Sequence, residues 1–340
     1  MTDIKTFNRD MYILQPSSPK MKYFRTKNMN KNIIHFGQLK LMMAELQFII
    51  SFWDPKTTPR PKIVYVGASS GQHIECISEL FPVFEWHLYD PSPFSIKESE
   101  KIKIYTGENG YFTNKQASQW SGRNDVFFIS DIRGKYTLEI SSMTLDEEYE
   151  KINNDPSYVS KIFEQQEENE KQVIKDMIDQ KEWYKIIKPV HALLKFRLPY
   201  VYKHIDTKFN YLNGYVYHQP WVGATSTETR LVPIGYNEIE WDIQDYEHQM
   251  FYHNRVTRTA KYTNPFQNQP KISMIQYPIL TDDFDSICHV NILMDYFTKL
   301  NINFTSDMVL KLSDFIIFSI NVNLTKKFDF FQERKKSKEI

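Results

Sequence analysis

The chain has 340 residues, 41% of them hydrophobic, so it can bury a sizeable core in one large domain or two small ones. Its formal net charge is +0, so any nucleic-acid binding would depend on a local basic surface. Cys76 and Cys288 are the only cysteines, which excludes a disulfide framework or a cysteine zinc site and predicts two reduced core thiols. The first residues lack a continuous apolar segment, and no later stretch reaches about eighteen uncharged apolar residues, so we expect neither secretion nor membrane spanning.

The chain begins with a polar N-terminal arm, residues 1–32, that lacks sustained periodicity. We expect this arm either to pack on the core or to stay mobile. Apolar residues then recur at helical spacing from Leu39 to Trp53 and predict an amphipathic helix that ends before Pro55. Four short apolar runs come next, each followed by turn or helix signals: Ile63 to Val66, Phe84 to Tyr89, Ile102 to Tyr105 and Val126 to Ile129. Strands that alternate with helices predict crossover connections and a mainly parallel sheet.

The second half of the chain begins with a charge-rich segment, residues 145–188, that predicts a long surface helix. Its apolar stripe consists of Val173, Ile174, Met177 and Ile178. Beyond it, the runs Val190 to Leu194 and Leu231 to Ile234 predict further strands, and helical spacing over residues 285–320 predicts a helical layer on the sheet. Residues 326–340 form a basic tail, which is interpreted as a solvated end.

A glycine turn follows the first predicted strand and opens a helix. Gly67 and Gly71 lack a Cβ, which would allow a ligand to approach the backbone closely. Their spacing, G-x-x-x-G, differs from the dinucleotide fingerprint and favours a smaller nucleoside cofactor. Asp90 ends the next strand about twenty residues later, where an acid can accept hydrogen bonds from both ribose hydroxyls. Together these features point to S-adenosylmethionine.

Four charged residues are candidates for catalysis, although each also has an ordinary structural interpretation. Asp131 follows a strand at the carboxyl edge where ligands of open α/β sheets bind, but it could equally cap the next turn. Lys195 interrupts an apolar strand, where a lysine is costly unless it is paired or chemically active; it could also reach solvent from a strand edge. Lys40 flanks the apolar stripe of the first helix and Glu228 lies in a polar loop, so neither is distinctive alone.

The chemistry of ribose methylation explains why these residue types belong together. A ribose hydroxyl is a poor nucleophile toward a sulfonium methyl group, so the transfer needs a nearby base. Burial can lower the pKa of a lysine by about 3 units and allow it to act as that base near neutral pH. A second lysine nearby would lower the pKa further, whereas neighbouring carboxylates would orient the ammonium and raise it. The sequence does not decide this balance.

Six ordered motifs between about residues 33 and 255 carry a resemblance to a known family. They are Gly37-Gln38-Leu39-Lys40-Leu41, Val64-Tyr65-Val66-Gly67, Ile129-Ser130-Asp131-Ile132-Arg133, Leu194-Lys195-Phe196-Arg197, Gln219-Pro220-Trp221 and Glu228-Thr229-Arg230-Leu231. With them the chain resembles the poxvirus-type cap-specific mRNA 2′-O-methyltransferases, which double as the small regulatory subunit of poly(A) polymerase in large DNA viruses. The resemblance implies an α/β, Rossmann-like class I S-adenosylmethionine-dependent methyltransferase over residues 33–325, with a mainly parallel central sheet flanked by helices.

The resemblance also implies the roles of individual residues. The catalytic tetrad would be Lys40, Asp131, Lys195 and Glu228, with Lys195 as the base, and no metal is expected. The residues expected around S-adenosylmethionine are Gln38, Tyr65, Gly67, Gly71, Asp90 and Asp131.

For the 7-methylguanine of the cap, the resemblance implies aromatic stacking and carboxylate contacts, which suit a positively charged base. The residues expected to bind the cap are Arg197, Tyr200, Trp221 and Glu247. The chain departs from the family at two places. The second stacking ring aligns with Thr225, so Trp221, Tyr202 or no ring takes its place, and the acid expected shortly after Tyr200 is missing, with Asp206 a little further on.

The implied function is methyl transfer to the ribose 2′-hydroxyl of the first transcribed nucleotide, with capped mRNA and the catalytic subunit of poly(A) polymerase as partners and no membrane. The implied location is the host cytoplasm, at viral factories, and the virion. The segment 145–188 is interpreted as a charged helical insertion near surfaces that meet the polymerase in this family. The alternative is a non-catalytic RNA-binding or polymerase regulatory subunit that retains the fold. A base methyltransferase is disfavoured because no Asn/Asp-Pro-Pro-Tyr sequence follows the predicted strands.

Overall fold

An eight-stranded sheet forms the centre of the protein, in the order β1-β7-β8-β6-β5-β2-β3-β4. The computed structural model describes residues 5–24, 36–134, 151, 154–201, 206–263, 265–266 and 282–320. The strands are β1 Ile13–Leu14, β2 Lys62–Val66, β3 Glu85–Tyr89, β4 Ile102–Tyr105, β5 Val126–Ser130, β6 His191–Phe196, β7 Lys208–Tyr217 and β8 Thr229–Asp242. The helices are α1 Gly37–Phe52, α2 Gln72–Leu80, α3 Asn114–Gln119, α4 Pro156–Ile187, α5 Ile243–Tyr252, α6 Phe284–Lys299 and α7 Ser306–Ser319.

Strands β2 to β6 are parallel to one another, which confirms the predicted α/β fold with a mainly parallel sheet. The chain builds β3 and β4 on one side of β2 and then crosses back to place β5 on the other side. The strand order therefore reverses between β2 and β5, where Val66 pairs with Ser130. Because loops that diverge from such a point leave a crevice at the carboxyl ends of the strands, Gly67 and Asp131 lie beside it.

The antiparallel half of the sheet differs most from the sequence-based prediction. Strand β7 was not predicted, and β8 extends from Thr229 to Asp242, although only its apolar run was predicted. Most of β8 beyond Val232 is exposed, so its side chains lack the apolar pattern of a buried strand. Backbone pairing with β7 maintains this extension despite an irregularity near Gly214.

Helices cover both faces of the sheet, and alternate strand residues point into one layer or the other. One layer contains α1, α2, α6 and α7 packed on side chains such as Ile63 and Phe127. The opposite layer contains α3, α4 and α5 packed on side chains such as Val64 and Phe128. This arrangement confirms the predicted helical layer near the C-terminus.

Helix α4 confirms the long helix predicted in the charge-rich segment, with one correction to its apolar stripe. Val173 and Met177 are buried against the sheet, whereas the side chain of Ile178 is 42% exposed and lies outside the stripe. Asp155 caps the helix by accepting hydrogen bonds from the amides of Ser157 and Tyr158. Whether the segment is an insertion relative to the family stays a prediction.

The described part of the arm, residues 5–24, packs on the core. Strand β1 pairs with the end of β7, and Tyr12 is buried beside α6. No helix among the described residues is long and apolar enough to cross a membrane. The basic tail at residues 326–340 lies outside the described residues, and the domain boundaries stay a prediction.

Both cysteines are buried, as predicted. Burial raises the pKa of Cys76 to about 12, so its thiol stays protonated and unreactive near neutral pH.

His289 in α6 gives the fold a testable dependence on pH. Trp221 Nε1 donates to His289 Nδ1 over 3.3 Å, and because an indole can only donate, the imidazole must be neutral with its proton on Nε2, facing Ser313 Oγ at 3.0 Å. Burial lowers the pKa of His289 from 6.5 to about 3. Unfolding therefore takes up a proton below about pH 6.5, and this contribution to stability is lost as the pH falls from 6.5 toward 3.

When the pH is lowered from about 7.5 to about 5.5, the wild type should lose more unfolding free energy than His289→Gln does. We expect the two losses to differ by roughly 1.4 kcal/mol, because the variant lacks the one proton whose uptake is linked to unfolding. Urea unfolding at the two pH values measures the difference. An equal loss in both proteins would contradict the neutral, buried imidazole.

Candidate active site

The four charged residues of the predicted tetrad come from four separate elements and meet at one point. Lys40 lies in the first turn of α1, Asp131 directly follows β5, Lys195 lies in β6, and Glu228 directly precedes β8. Lys195 Nζ is 3.2 Å from Asp131 Oδ1 and 3.5 Å from Glu228 Oε2. Lys40 Nζ forms an ion pair with Glu228 Oε1. The two lysines are thus linked through one shared carboxylate.

The environments of Lys195, Lys40 and Glu228 exclude the ordinary structural interpretations of these residues. The side chain of Lys195 is 14% exposed and ion-paired, so it is not a strand-edge lysine that reaches solvent. Lys40 and Glu228 are buried, which excludes an ordinary flanking lysine and an ordinary polar loop residue. Among the described residues Lys195 Nζ makes no well-oriented hydrogen bond, so its contacts are ion pairs alone.

Arg230 is the main residue of this cluster that was not singled out from the sequence. It is 2% exposed, and its Nη2 lies 2.8 Å from Asp131 Oδ1 and 3.3 Å from Glu228 Oε1. Its Nε donates to Gln219 Oε1 over 2.8 Å. The signal was the one used for Lys195, because Arg230 also interrupts a buried strand and pairs in register with Lys195.

The cluster holds three cations and two carboxylates in a largely water-excluded space. Burial raises the pKa of Asp131, but Arg230, Lys195 and Lys40 outweigh it and lower the pKa to about 2. Burial likewise raises the pKa of Glu228, and the same three cations bring it well below its usual value. Both carboxylates are therefore ionised at neutral pH. Burial lowers the pKa of Lys40, against the opposing effect of Glu228 and Asp131.

The glycine turn after β2 lies directly against the loop that carries Asp131. Gly67 has a φ of +78°, and a Cβ there would lie 2.7 Å from the Asp131 carbonyl and from Ile132 N. Gly71 also has a φ of +78°, and a Cβ there would meet Ile96 at 3.0 Å. The chain's own atoms therefore occupy the space that we expected a ligand to use, and close packing of loops explains both glycines. Contact with a cofactor stays a prediction for them.

The other residues expected near the cofactor divide into two groups. Asp90 is half-buried at the end of β3 and accepts hydrogen bonds from Ser69 N at 3.1 Å and Ser92 N at 2.8 Å. Gln38 Oε1 lies 2.7 Å from His73 Nδ1, at the start of α2. These side chains lie around the turn.

Tyr65 is instead fully buried, and its hydroxyl donates to Glu45 Oε1 over 2.7 Å. Because the ring is buried and its hydroxyl is engaged by Glu45, the structure gives no support to a direct contact between the Tyr65 ring and the cofactor.

A cleft with a volume of about 370 Å³ opens beside the charged cluster. It is lined by Ile132, Arg133, Val173, Asp176, Met177, Gln180, Lys195, Arg197, Tyr200, Thr225, Ser226, Thr227 and Glu228. One wall is the buried face of α4, which was interpreted from the sequence only as a surface helix. Gln180 from this wall donates to Lys195 O over 2.6 Å, and Asp176 accepts from Gly134 N over 2.8 Å. Helix α4 thus braces both β6 and the loop after β5.

Arg197 and Tyr200 line the same cleft as Lys195, and their contact with a cap stays a prediction. The Arg197 guanidinium lies 4.9 Å from the centroid of the Tyr200 ring, and so covers one face of that ring. Glu170 of α4 was not predicted to take part, yet its buried carboxylate pairs with Arg197 and accepts from Tyr200 N over 2.9 Å.

Glu247 lies on α5 and does not line the cleft, although its charge and that of Glu170 influence one another. Burial raises the pKa of Glu247, with a smaller contribution from Glu170 and an opposing one from His248.

Trp221 is not a stacking residue in this structure, which corrects that prediction. It is 2% exposed within the core, packs edge-on against Phe36, and donates its indole N–H to His289. Thr225 does line the cleft, so the position of the second ring holds a threonine. Tyr202 lies outside the described residues, and Asp206 is exposed and does not line the cleft.

Over the described ranges, no group of three or more His, Cys, Asp or Glu side chains could hold a metal ion.

The parallel sheet reverses its strand order between β2 and β5, and a buried Lys-Asp-Lys-Glu cluster lies at this switch point. These features define a Rossmann-like protein of the methyltransferase class. The chain belongs to the poly A polymerase regulatory subunit family, whose model matches residues 7–162 and 157–286. This confirms the family resemblance inferred from the six motifs.

The chain is also similar to two curated viral proteins, each called cap-specific mRNA (nucleoside-2′-O-)-methyltransferase. It is 25% identical to the one from Myxoma virus (strain Lausanne) over 256 residues, which cover 70% of this chain and 67% of the relative. It is 26% identical to the one from Fowlpox virus (strain NVSL) over 249 residues, which cover 68% of this chain and 71% of the relative.

Among solved structures, bluetongue virus VP4, described as a multifunctional RNA-capping production line, aligns with 79% of this chain and 40% of its own length. The TM-score is 0.39 and the identity 12%, which is too weak a likeness to support a functional conclusion.

Proposed function

We propose that this protein is a cap-specific mRNA 2′-O-methyltransferase that methylates the first transcribed nucleotide of capped RNA, with S-adenosylmethionine as the methyl donor. One observation carries the proposal: Lys195 lines a cleft while two ionised carboxylates and two further buried cations surround its ammonium group. A regulatory subunit without catalysis would have no physical need for such a costly buried cluster. The names of the viral relatives support the same reaction.

The residues at the carboxyl ends of β2, β3 and β5 fit the proposed cofactor. Asp90 offers a half-buried carboxylate that can accept from ribose hydroxyls, and Asp131 lies at the switch point directly beside Gly67. Gln38 and the Gly67–Gly71 turn lie alongside. When bound, S-adenosylmethionine supplies an activated methyl group.

Access distinguishes the two lysines as candidates for the base. Lys195 lines the cleft, whereas Lys40 is buried behind it and pairs with Glu228. We therefore assign proton removal from the 2′-hydroxyl to Lys195 Nζ in its neutral amine form, which requires that the ammonium first releases its own proton to solvent in the cleft. Asp131 and Glu228 orient that nitrogen, and the remaining cations favour the developing alkoxide electrostatically. Lys40 and Arg230 hold the carboxylates in place.

The far end of the cleft would bind the cap. Because Arg197 covers one face of Tyr200, a base can stack only on the other face, and Thr225 supplies no second ring. A single aromatic face would favour a positively charged 7-methylguanine. Glu247 does not line the cleft, so its contact with the cap stays a prediction.

The direct test is incubation of the protein with labelled S-adenosylmethionine and short capped or uncapped RNA, followed by nuclease mapping of the label. The proposal expects the label on the 2′-oxygen of the first transcribed nucleotide of capped RNA. Label on a base, or no transfer to any RNA, would refute it.

The cofactor assignment predicts that Asp90→Ala weakens S-adenosylmethionine binding by about 1 to 3 kcal/mol, because ribose hydroxyls lose a charged acceptor. Isothermal titration calorimetry measures the change. Glu98→Gln is the matched control, since Glu98 is an exposed acid that also accepts from a main-chain amide, that of Ile104. An unchanged dissociation constant in Asp90→Ala would mean that Asp90 has only a structural role, through its hydrogen bonds to Ser69 and Ser92.

The cap assignment predicts that the protein prefers a 7-methylguanosine cap to an unmethylated one, and that Tyr200→Ala removes this preference. The expected preference is modest, about fivefold, because one stacked cation contributes roughly 1 kcal/mol. Fluorescence competition with the two cap analogues measures it, and unchanged cofactor binding is the internal control. Equal affinity of the wild type for both caps would leave an enzyme that recognises RNA chiefly through its backbone.

The family description supports a second role as a regulatory subunit of poly(A) polymerase, with the catalytic polymerase chain as partner. Co-purification of the two chains and measurement of tail length with and without this protein would test that role. The location in the host cytoplasm and the virion stays a prediction.

A further inference from the structure

The segment between β7 and β8, residues 218–228, ends at Glu228 and is contacted at several points by one short turn. This turn is π-helical, spans His253–Thr257 directly after α5, and is followed by Arg258. Wide helical turns of this kind are rare and are frequently found near functional sites.

Two side chains of the turn, and that of Arg258 directly after it, contact successive parts of the segment. The His253 ring stacks on His218 with 3.7 Å between centroids and an interplanar angle of 8°. Arg258 Nη2 donates to Val222 O over 2.8 Å, and its Nη1 donates to Gly223 O over 3.2 Å. Asn254 Nδ2 donates to Ser226 O over 2.8 Å, two residues before Glu228.

The turn is itself anchored to the helical layer on the other side. Arg258 forms a two-point ion pair with Asp285 of α6, with Nε to Oδ1 at 3.1 Å and Nη2 to Oδ2 at 2.6 Å. Its Nη1 also donates to Asn254 Oδ1 over 3.0 Å. The side chains of Arg258, Asp285 and Asn254 are all buried, so water does not compete for these bonds.

We propose that Asn254 and Arg258 are positioning residues that set the place of Glu228 relative to Lys40 and Lys195. The inference rests on the proposed function, because Glu228 is the carboxylate that the two lysines share. The segment has neither helix nor strand of its own between residues 218 and 228. Its path therefore depends on bonds from outside the segment: those from Asn254 and Arg258, and those from the Tyr246 hydroxyl to Thr227 O and from Phe36 N to Trp221 O. A displacement of about 1 Å at a reacting group can cost roughly 100-fold in rate.

Asn254→Asp is the sharpest variant, because it preserves shape and the acceptor for Arg258 while replacing the donor that faces Ser226 O by a carboxylate oxygen. We expect kcat to fall by about 10- to 100-fold, with the KM for capped RNA and the Kd for S-adenosylmethionine within about twofold of wild type. Hydrogen exchange should quicken in a peptide that covers residues 222–230. Thr259→Val is the matched control, since its hydroxyl donates only within the turn, to Arg255 O at 2.8 Å and Val256 O at 3.3 Å.

The paired variant Arg258→Met with Asp285→Leu removes both buried charges together and so limits the cost to folding. It should show the same selective fall in kcat at a temperature where thermal unfolding shows it folded. Unchanged kcat and exchange in Asn254→Asp would overturn the proposal. So would a loss of activity that merely follows the unfolded fraction. Failure of the proposed function is distinguishable, because it would appear as a wild type without methyl transfer, while hydrogen exchange would still report on the segment.

Discussion

Lys195→Ala is expected to lower the rate of methyl transfer by roughly 100- to 10,000-fold, the usual contribution of a positioned general base. Lys195→Arg should fail as well, because a guanidinium stays protonated and cannot accept the hydroxyl proton. RNA binding should be largely intact, since Lys195 is assigned to proton removal and not to phosphate contact. Single-turnover methylation of a short capped RNA measures the rate, and filter binding measures the affinity.

Lys185→Ala is the matched control for this experiment. Lys185 is a partly exposed lysine of α4 that pairs with Glu238 and lies outside the cleft. Its rate should equal that of the wild type. Activity of either Lys195 variant within a few fold of wild type would remove this residue from the mechanism and make Lys40 the remaining lysine of the cluster.

Arg230→Met should lower the free energy of unfolding by about 3 to 5 kcal/mol, because it leaves two buried carboxylates with one cation fewer. It should also abolish methyl transfer, since Arg230 holds both Asp131 and Glu228. Urea unfolding near neutral pH measures the loss. Arg123→Met is the control, because the Arg123 pair with Asp125 is near the surface and should contribute less than about 1 kcal/mol.

The loss caused by Arg230→Met should depend on pH in a defined direction. In the wild type, the pKa of Asp131 is lowered from 3.8 to about 2, so the cluster stabilises the fold above pH 3.8 and loses that effect as the pH falls toward 2. Without Arg230 the carboxylates bind protons more readily as the pH falls, and protonation removes the free-energy cost of burying their charge. The difference between variant and wild type should therefore narrow from about pH 7 to about pH 4. A difference that stays constant would mean that Arg230 acts mainly through packing.

Local sequence patterns were sufficient for most of the parallel half of the fold. Strands β2 to β6 are short, buried and bounded by turn signals, and α1 has an apolar stripe at helical spacing, so each could be predicted from its own residues. The family resemblance then placed Lys40, Asp131, Lys195 and Glu228 in one site, and the structure brings these four together. Strand β7 escaped prediction because it is half-exposed and is maintained by pairing with β8.

Other features depended on contacts between residues far apart in the chain. Arg230 and Glu170 become part of the site because folding buries their charges beside partners 99 and 27 residues away. The same applies to Trp221, whose aromatic ring suggested stacking until its burial beside His289 became visible. Gly67 and Gly71 could be recognised as special, but the atoms that require glycine belong to loops that approach from elsewhere.

The residue types and their local periodicity thus dictate an α/β chain with a candidate site at the carboxyl ends of its strands. The reason is that strand and helix patterns, and the cost of a charge in an apolar strand, are properties of short segments. Which charges share a carboxylate, which wall closes the cleft and which loop carries Glu228 are set by packing over long sequence separations. Electrostatic effects depend on distance and burial, which exist only once the chain is folded.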